Sequence, residues 1–455
     1  MSVYFKTTAL AIFTFAGCQA YAQQGERAGR PNVIVILADD LGWGDLGQTD
    51  QRIATPNLDR LAAEGIRLTS FYTGSSLCSP TRASLLTGKY PHSVGVPDLA
   101  SPEVRGDVPI LALNHSAVTI PEALKSRGYK SMLAGKWHLG YYRENWPRTH
   151  GFDEFRGSLI GTLRYFEPSQ VYENETQVNV HQYFTDWITD KAIDFINRNQ
   201  RQPFFLYLAY NAPHYPLQAP MPLVNKYRKM FPDDGLYALY AAMVEQMDLG
   251  IGKVLTTIGE LGIDKNTVIL FCSDNGPSAE PQSYGLPGAR ISRGKLNGHK
   301  FLMYEGGIRV PFIARWPGRI PAGTISDTLA TTMDILPTIL QAAGLDPQST
   351  GADGKSLIPL FRGEQTAYNQ RMIHWENIYN MGVRSGNWKL IYQFWEDRPR
   401  LYDLSRDIGE EYDLYHRYPE VAKKLMEAHE KWKKNHYPNP IPRQLSRPLE
   451  RIPTR

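Results

Sequence analysis

The chain has 455 residues, 42% hydrophobic and 21% charged, with 38 Gly and 32 Pro; this is globular composition and excludes collagen, a long coiled coil and intrinsic disorder. Fifty Lys and Arg against 46 Asp and Glu leave a net charge of +4 without long single-sign runs, too mild an excess to point to nucleic acid. The length allows two to three domains of about 150 residues, or one large α/β domain with an appendage.

At the N-terminus, Lys6, an apolar run over 9–17 and Ala20-Tyr21-Ala22 read as a secretory leader cut after Ala22, which predicts a periplasmic or secreted protein. Lipidation at Cys18 is the less favoured alternative, because Phe15 is an unusual lead residue for it. A membrane span needs about 20 apolar residues; neither this run nor any later segment qualifies.

Residues 33–38 form a continuous apolar run of the kind shown by a strand buried on both faces, and it ends in Asp39-Asp40-Leu41-Gly42. A helix follows, with Thr55 as N-cap, Pro56 at its first position and Gly65 as its stop. Ser79 as N-cap and Pro80 as first helical residue place Cys78 at the start of a second helix, with Arg82 one turn inside. Residues 119–128 read as a helix leading into a strand at 129–134. Thr185 can cap a helix to Asn199, and the strand 204–209 then ends in Asn211-Ala212-Pro213-His214. A long helix spans 236–261, with Met243 and Met247 as core filler. The strand 267–272 ends in Ser273-Asp274-Asn275-Gly276. Strands alternating with helices predict an α/β fold, a large, mostly parallel sheet covered by helices on both faces.

Beyond about residue 360 the pattern changes. Residues 382–393 carry a Gly386-Asn387 turn, 400–404 form another strand, and a charged helix covers 419–437, so a small antiparallel sheet with one helix is expected. The predicted organisation is a leader at 1–22, a catalytic domain at 30–360, a C-terminal α+β subdomain at 361–437 and an extension at 438–455.

Three predicted strands end in residues of catalytic type, and ligands of open α/β sheets bind beyond the carboxyl ends of strands. Asp39, Asp40, Asp274 and Asn275 make a hard, all-oxygen set suited to Ca²⁺ or Mg²⁺; zinc would want Cys or His. Of the three cysteines, Cys18 lies in the leader and Cys272 in an apolar strand, where it is a buried hydrophobe. Cys78 lies among small polar residues at a helix start, a place for an anion or for a reactive thiolate. An ordinary cysteine hydrolase is therefore open at this point.

The segment Cys78-Ser79-Pro80-Thr81-Arg82, with Leu85-Leu86-Thr87-Gly88 downstream, resembles the first signature of the formylglycine-dependent, type I sulfatases of the alkaline phosphatase superfamily. Gly128-Tyr129-Lys130-Ser131-Met132-Leu133-Ala134-Gly135-Lys136-Trp137-His138 resembles the second. The likeness continues through Ala212-Pro213-His214, Ser273-Asp274-Asn275-Gly276, Lys300 ahead of Tyr304-Glu305-Gly306-Gly307, Trp388-Lys389-Leu390 and Leu401-Tyr402-Asp403-Leu404. It implies that a maturation enzyme oxidises Cys78 to formylglycine, whose hydrate carries two hydroxyls, one to attack sulfur and one to expel sulfate afterwards. It also implies one Ca²⁺ held by Asp39, Asp40, Asp274 and Asn275 together with residue 78. By the same resemblance Arg82 holds the hydrate, Lys136 and Lys300 contact sulfate oxygens, His214 with Lys300 serves the leaving alcohol, and His138 is the base that releases sulfate.

Thr81 stands where many members have Ser, and Asp407-Ile408-Gly409-Glu410 lacks a Pro often found there. Outside these motifs His92, His115, His150, His181 and His374 read as structural or surface residues. Residues 141–184 are rich in Tyr, Trp, Arg and Phe, which suits either sugar contact or a packed surface insertion. Asn114-His115-Ser116 and Asn174-Glu175-Thr176 are glycosylation sequons. The expected substrate is a sulfated polysaccharide or oligosaccharide, carrageenan-like or glycosaminoglycan-like. The rivals are a phosphomonoesterase, phosphodiesterase or phosphonate hydrolase of the same superfamily, and an inactive sulfated-glycan binder.

Overall fold

In the computed structural model the apolar run after Asn32 forms β1 (Asn32–Ala38), with all seven residues buried. Ile34, Ile36 and Ala38 enter one core, Val33, Val35 and Leu37 another, as a period of two requires of a strand covered on both faces. The structure describes residues 30–49, 52–103, 109–278, 296–364, 368–437 and 439–443. The expected leader with Cys18, and 444–455 of the expected extension, lie outside the described residues.

From β1 the chain continues through α1 (Pro56–Ala63), β2 (Ile66–Leu68), β3 (Phe71–Tyr72), α2 (Cys78–Thr87), α3 (Ile120–Leu124), β4 (Lys130–Lys136), β5 (Glu154–Ser158), β6 (Val171–Glu173) and β7 (Thr176–Val178). Next come α4 (Phe184–Asn199), β8 (Phe204–Ala209), α5 (Met221–Met230), α6 (Gly235–Glu260), β9 (Thr267–Ser273), α7 (Glu305–Ile308), β10 (Phe312–Arg315), β11 (Thr324–Ser326), β12 (Ala330–Thr331), α8 (Ile335–Ala342) and α9 (Ile358–Phe361). The last elements are β13 (Met372–Glu376), β14 (Asn380–Ser385), β15 (Trp388–Gln393), β16 (Arg400–Asp403) and α10 (Pro419–His436).

Among the described residues ten strands form one sheet in the order β11-β2-β10-β9-β1-β8-β4-β5-β6-β7. The run β9-β1-β8-β4-β5 is parallel, while β10 and β6 run antiparallel to their neighbours. Helices α1, α4 and α6 cover one face through Leu58, Ile188 and Met247; α2, α3 and α8 cover the other through Leu85, Leu124 and Ile339. Each such side chain contributes roughly 1.5–3 kcal/mol on full burial. The α/β architecture expected from the sequence, a large, mostly parallel sheet covered by helices on both faces, is thus present, with Met243 and Met247 in its core.

Several local expectations are corrected. Cys78 is itself the first helical residue of α2 and Leu77 precedes it as N-cap; the Ser79 hydroxyl instead accepts the Ala100 N–H at 3.1 Å. Thr55 precedes α1 but does not cap it, because Asp248 of α6 accepts the Asn57 and Leu58 N–H groups at 3.1 and 2.8 Å. Helix α4 starts one residue before Thr185, whose place is inside the first turn. Residues 141–184, whose composition suits either sugar contact or a packed surface insertion, also contain β5, β6 and β7, strands not expected from the sequence, which extend the sheet.

The small sheet β13-β14-β15-β16 is antiparallel throughout, and α10 packs Ala422 and Leu425 on its Met381, Val383 and Leu390. Among the described residues no helix is long and apolar enough to cross a membrane. At the end of β13 the buried Glu376 carboxylate meets His429 Nε2 at 2.9 Å and the Lys433 ammonium, while its carbonyl receives His92 Nε2 at 2.9 Å. His374 stacks on Trp432. Burial opposes the Glu376 charge, but the hydrogen bonds from His429 and Lys433 win and hold its pKa down at about 2. Burial pushes His92 and His374 down to about 4 and about 3.

These shifts fix a sign. A histidine kept neutral in the fold but protonated near 6.5 when unfolded loses stability as pH falls through that window. Glu376 adds a loss between the usual carboxylate range and about 2. Each is on the order of 3 kcal/mol when complete. The melting temperature should therefore fall steadily from pH 6.5 to 3 in a circular-dichroism series, and Glu376→Gln should flatten its most acidic part. A flat profile between pH 7 and 4 contradicts this reading.

Candidate active site

Adjacent strands β9, β1, β8 and β4 point the same way and lie about 4.8 Å apart, so the residues after them meet above one sheet edge. Asp39 and Asp40 follow β1, Asp274 and Asn275 follow β9, His214 follows β8, and Lys136 and His138 close β4. Backbone bonds carry the alignment past the strands: the Asp39 N–H donates to Ala212 O and the Asp274 N–H to Ala38 O, both at 3.1 Å. Asp40 and His138 take positive φ values of 65° and 55°, a conformation that costs about 1–3 kcal/mol in non-glycine residues and concentrates at functional sites. Three residues before His138, Gly135, at φ 114°, lets β4 approach β8 so closely that a Cβ would sit 1.9 Å from Ala209 O.

Helix α2 brings Cys78 and Arg82 over this edge, both buried. Arg82 donates from Nη2 and Nε to Asp274 Oδ2 at 2.7 and 3.0 Å and from Nη1 to Lys136 O at 3.1 Å. Lys136 Nζ reaches Asp39 Oδ2 at 2.5 Å, and Lys300 Nζ reaches Asp40 Oδ1 at 3.0 Å. Asn275 Nδ2 donates to Asp40 Oδ1 at 2.6 Å. Three carboxylates and three cations thus sit almost without solvent exposure. Thr81, the departure from Ser, uses its hydroxyl on Ser75 O at 3.0 Å, so the exchange keeps the bond a serine would make.

His214 Nε2 stands 3.6 Å from Asp40 Oδ2, and its Nδ1 lies 2.5 Å from Tyr215 O. A carbonyl only accepts, so Nδ1 carries a proton and Nε2 faces the site. Donor atoms of Asp39, Cys78 and His214 lie within 4.8 Å of one another. Burial, outweighing Lys136 and Lys300, pushes the Cys78 thiol up to about 11, so it stays protonated at neutral pH and makes a poor thiolate nucleophile. Burial, reinforced by Lys136, Arg82 and Lys300, holds His138 well below its usual value and therefore neutral. Burial raises Asp39, but Lys136, His214 and Arg82 prevail and its pKa is lowered; burial and Asp39 together raise Asp274.

The donor set fits a hard cation. Carboxylate oxygens of Asp39, Asp40 and Asp274 lie within 4.8 Å of one another, and Asp39 Oδ1 and Asn275 Oδ1 are buried without a hydrogen-bond partner among the described residues. A buried oxygen without a partner costs free energy that a cation would recover.

All ten residues singled out from the sequence meet here. The family model described as Sulfatase matches residues 31–345. The chain belongs to the sulfatase family. A second model, N-sulphoglucosamine sulphohydrolase C-terminal, matches residues 298–435 of this sulfatase. N-acetylgalactosamine-6-sulfatase of Canis lupus familiaris is 35% identical over 80% of this chain and 72% of its own length. Arylsulfatase A of Homo sapiens is 32% identical over 84% and 83%. The crystal structure of Ps i-CgsB in complex with k-i-k-neocarrahexaose superposes with a TM-score of 0.79 at 30% identity, covering 90% of this chain and 95% of that one. The chain is accordingly a sulfuric ester hydrolase of the alkaline phosphatase superfamily.

Sequence reasoning left unassigned the supports of this sulfatase's Lys300. Its neighbour Phe301 donates its N–H to Ser76 O at 3.0 Å, and the Phe301 carbonyl receives Asn377 Nδ2 and Asn380 Nδ2 from the small sheet at 3.1 and 2.9 Å. Glu305 is tied to Lys389 at 2.7 Å, Arg309 at 3.0 Å and the Tyr72 hydroxyl at 2.6 Å, and Lys389 also meets Glu410 at 2.8 Å. The Glu305 and Lys389 motifs were visible in the sequence; their pairing was not. Among the histidines read as structural, His115 stacks on His150 with centroids 4.4 Å apart. Arg82→Ala would leave Asp274 buried without its guanidinium, which typically costs about 3–5 kcal/mol. Urea unfolding in EDTA should show that loss, and a change below about 1 kcal/mol would refute the charge accounting.

Proposed function

We propose that the chain removes sulfate from a sulfated polysaccharide or its oligosaccharides, carrageenan-like or glycosaminoglycan-like, after export to the periplasm or medium. Support for a sulfated carbohydrate comes from the N-acetylgalactosamine-6-sulfatase relative and the neighbour solved with neocarrahexaose. The observation that carries the reading is Cys78 at the first position of α2, within 4.8 Å of Asp39 and His214 donor atoms and in the field of Lys136 and Lys300. In the proposed organisation residues 30–360 form the catalytic unit and 361–437 a subdomain that holds Lys300 in place.

Cys78, converted to formylglycine by a maturation enzyme, would supply a hydrated aldehyde as the attacking group. Ca²⁺ held by Asp39, Asp40, Asp274 and Asn275, with residue 78, would withdraw charge from the sulfuryl oxygens and the nucleophile. Lys136 and Lys300 bind and orient the sulfate through its oxygens, and Arg82 fixes the side chain of residue 78. His214, with Nδ1–H held by Tyr215 O and Nε2 toward the site, acts in its imidazolium form and gives the Nε2 proton to the leaving alcohol together with Lys300. His138, neutral in its buried position, takes the proton when sulfate departs. With the cation in place the positive charges outnumber the carboxylates, so the pocket selects an anion.

Mass spectrometry of the Cys78 peptide from active protein should show an aldehyde in place of the thiol; an intact thiol at full activity rejects the nucleophile. EDTA should abolish turnover and Ca²⁺ restore it better than Mg²⁺. Calcium at a hundredfold over Kd should also stabilise the chain by about 2.7 kcal/mol, and Asp40→Asn should lose most of that gain. His214→Ala should lower kcat on sugar sulfates by about 10²–10⁴ but act far less on 4-nitrophenyl sulfate, whose leaving group needs no proton. Equal losses on both would remove His214 from the acid role.

A further inference from the structure

The two histidines are joined by a short strap. At one end His138 donates its N–H to Leu159 O at 3.2 Å, and Gly161 lies against the His138 ring so closely that a Cβ would fall 2.5 Å from it. At the other end the buried Tyr165 hydroxyl sits 2.5 Å from Asn211 O and 2.9 Å from His214 O, sharing its hydrogen between them. Gln218 Oε1 accepts the Tyr165 N–H at 2.9 Å. Five residues therefore span from the proposed base to the proposed acid, and both ends are held to the histidines.

Between these anchors the strap alternates. Leu163 and Tyr165 are buried, whereas Thr162, Arg164 and Phe166 are exposed, and the Phe166 ring leans on Tyr183 with centroids 5.0 Å apart. The surrounding basic residues are used: Arg148 pairs with Glu175, Arg156 with Glu154 and Glu173, Lys191 with Glu173, Arg198 with Glu154 and Asp194, and Arg143 lies over Trp146. Arg164 makes no hydrogen bond or ion pair among the described residues. An exposed guanidinium with no internal partner gives up no hydrogen bond or ion pair on meeting a ligand, and its planar fork is suited to a sulfate or a carboxylate.

We propose that Arg164, flanked by the Phe166 ring, is a specificity residue that reads a second anionic group on the leaving sugar. This rests on the sulfated-glycan reading above. The alcohol that receives its proton from His214 lies beside that ring, and Arg164 directly precedes Tyr165, whose hydroxyl touches the His214 carbonyl, so a sugar running out along the strap would meet Arg164. The preferred substrate is then a saccharide carrying two anions, the scissile sulfate and a neighbouring sulfate or uronate carboxylate.

The test compares matured wild type, Arg164→Ala and Arg164→Lys on a monosulfated disaccharide, its disulfated form, a monosulfated uronate-containing disaccharide and 4-nitrophenyl sulfate. Wild type should prefer a doubly anionic sugar. In Arg164→Ala the ratio of kcat/KM for that sugar over the monosulfated one should fall about tenfold, mainly through KM, with Arg164→Lys between. The disulfated and uronate arms identify which anion is read. No preference in wild type, or an equal loss on every substrate, overturns the proposal. Calorimetric binding of the same sugars to Cys78→Ala, with and without Arg164→Ala, reads the contact without turnover. Failure to hydrolyse even 4-nitrophenyl sulfate would count against the sulfatase mechanism, whereas an unchanged sugar ratio counts against Arg164 alone.

Discussion

The burial of six charges above one sheet edge is the constraint on which the rest depends. Asp39, Asp40 and Asp274 cannot be ionised in a solvent-free cup unless cations share it, and Arg82, Lys136 and Lys300 supply them at 2.5–3.0 Å. Removing water strengthens each attraction and makes the loss of any single partner expensive. Among the described residues the network still leaves Asp39 Oδ1 and Asn275 Oδ1 without a proton to accept. A divalent cation would complete the arrangement, and the shared cup would then carry excess positive charge toward an incoming sulfate.

Two features of the fold hold these charges in register. The first is the parallel block β9-β1-β8-β4, which sets four chain segments side by side although they are about 240 residues apart at the extremes. The second is the small antiparallel sheet, whose Asn377 and Asn380 clasp the carbonyl beside Lys300. The Glu305–Lys389 pair fastens that sheet to the main body with both partners fully buried. Burial opposes the Glu305 charge, but Lys389, Arg309 and Arg384 hold its pKa down at about 2, while burial and Glu305 raise Glu410 to about 7. One ammonium shared by two carboxylates favours ionising the one that also has arginine neighbours.

Much of the main sheet was legible because its strands are apolar without interruption, and each ends in a polar cluster. Residues 33–38, 204–209 and 267–272 needed no tertiary information to be read as strands. The short strands β5 to β7 were not legible. Glu154, Arg156, Glu173 and Gln177 interrupt any apolar pattern, and β-propensity in so few residues is weak. The start of α2 was misjudged because Ser79 and Pro80 imitate a cap and first turn, whereas the Ser79 hydroxyl is taken by Ala100 from a distant segment. Thr55 misled in the same way, since Asp248 supplies the acceptor from α6.

The sequence by itself determined the chemistry: which side chains could ionise, which strands end in carboxylates and amides, and which segments resemble sulfatase signatures. Those properties are local, carried by residue type and spacing. Only the tertiary structure decided which charge faces which, that Lys136 serves Asp39 while Arg82 serves Asp274, and that Tyr165 and Gly161 brace the two histidines. Electrostatic pairing depends on distance and on the water excluded between groups, and both arise when segments far apart in the chain are packed together.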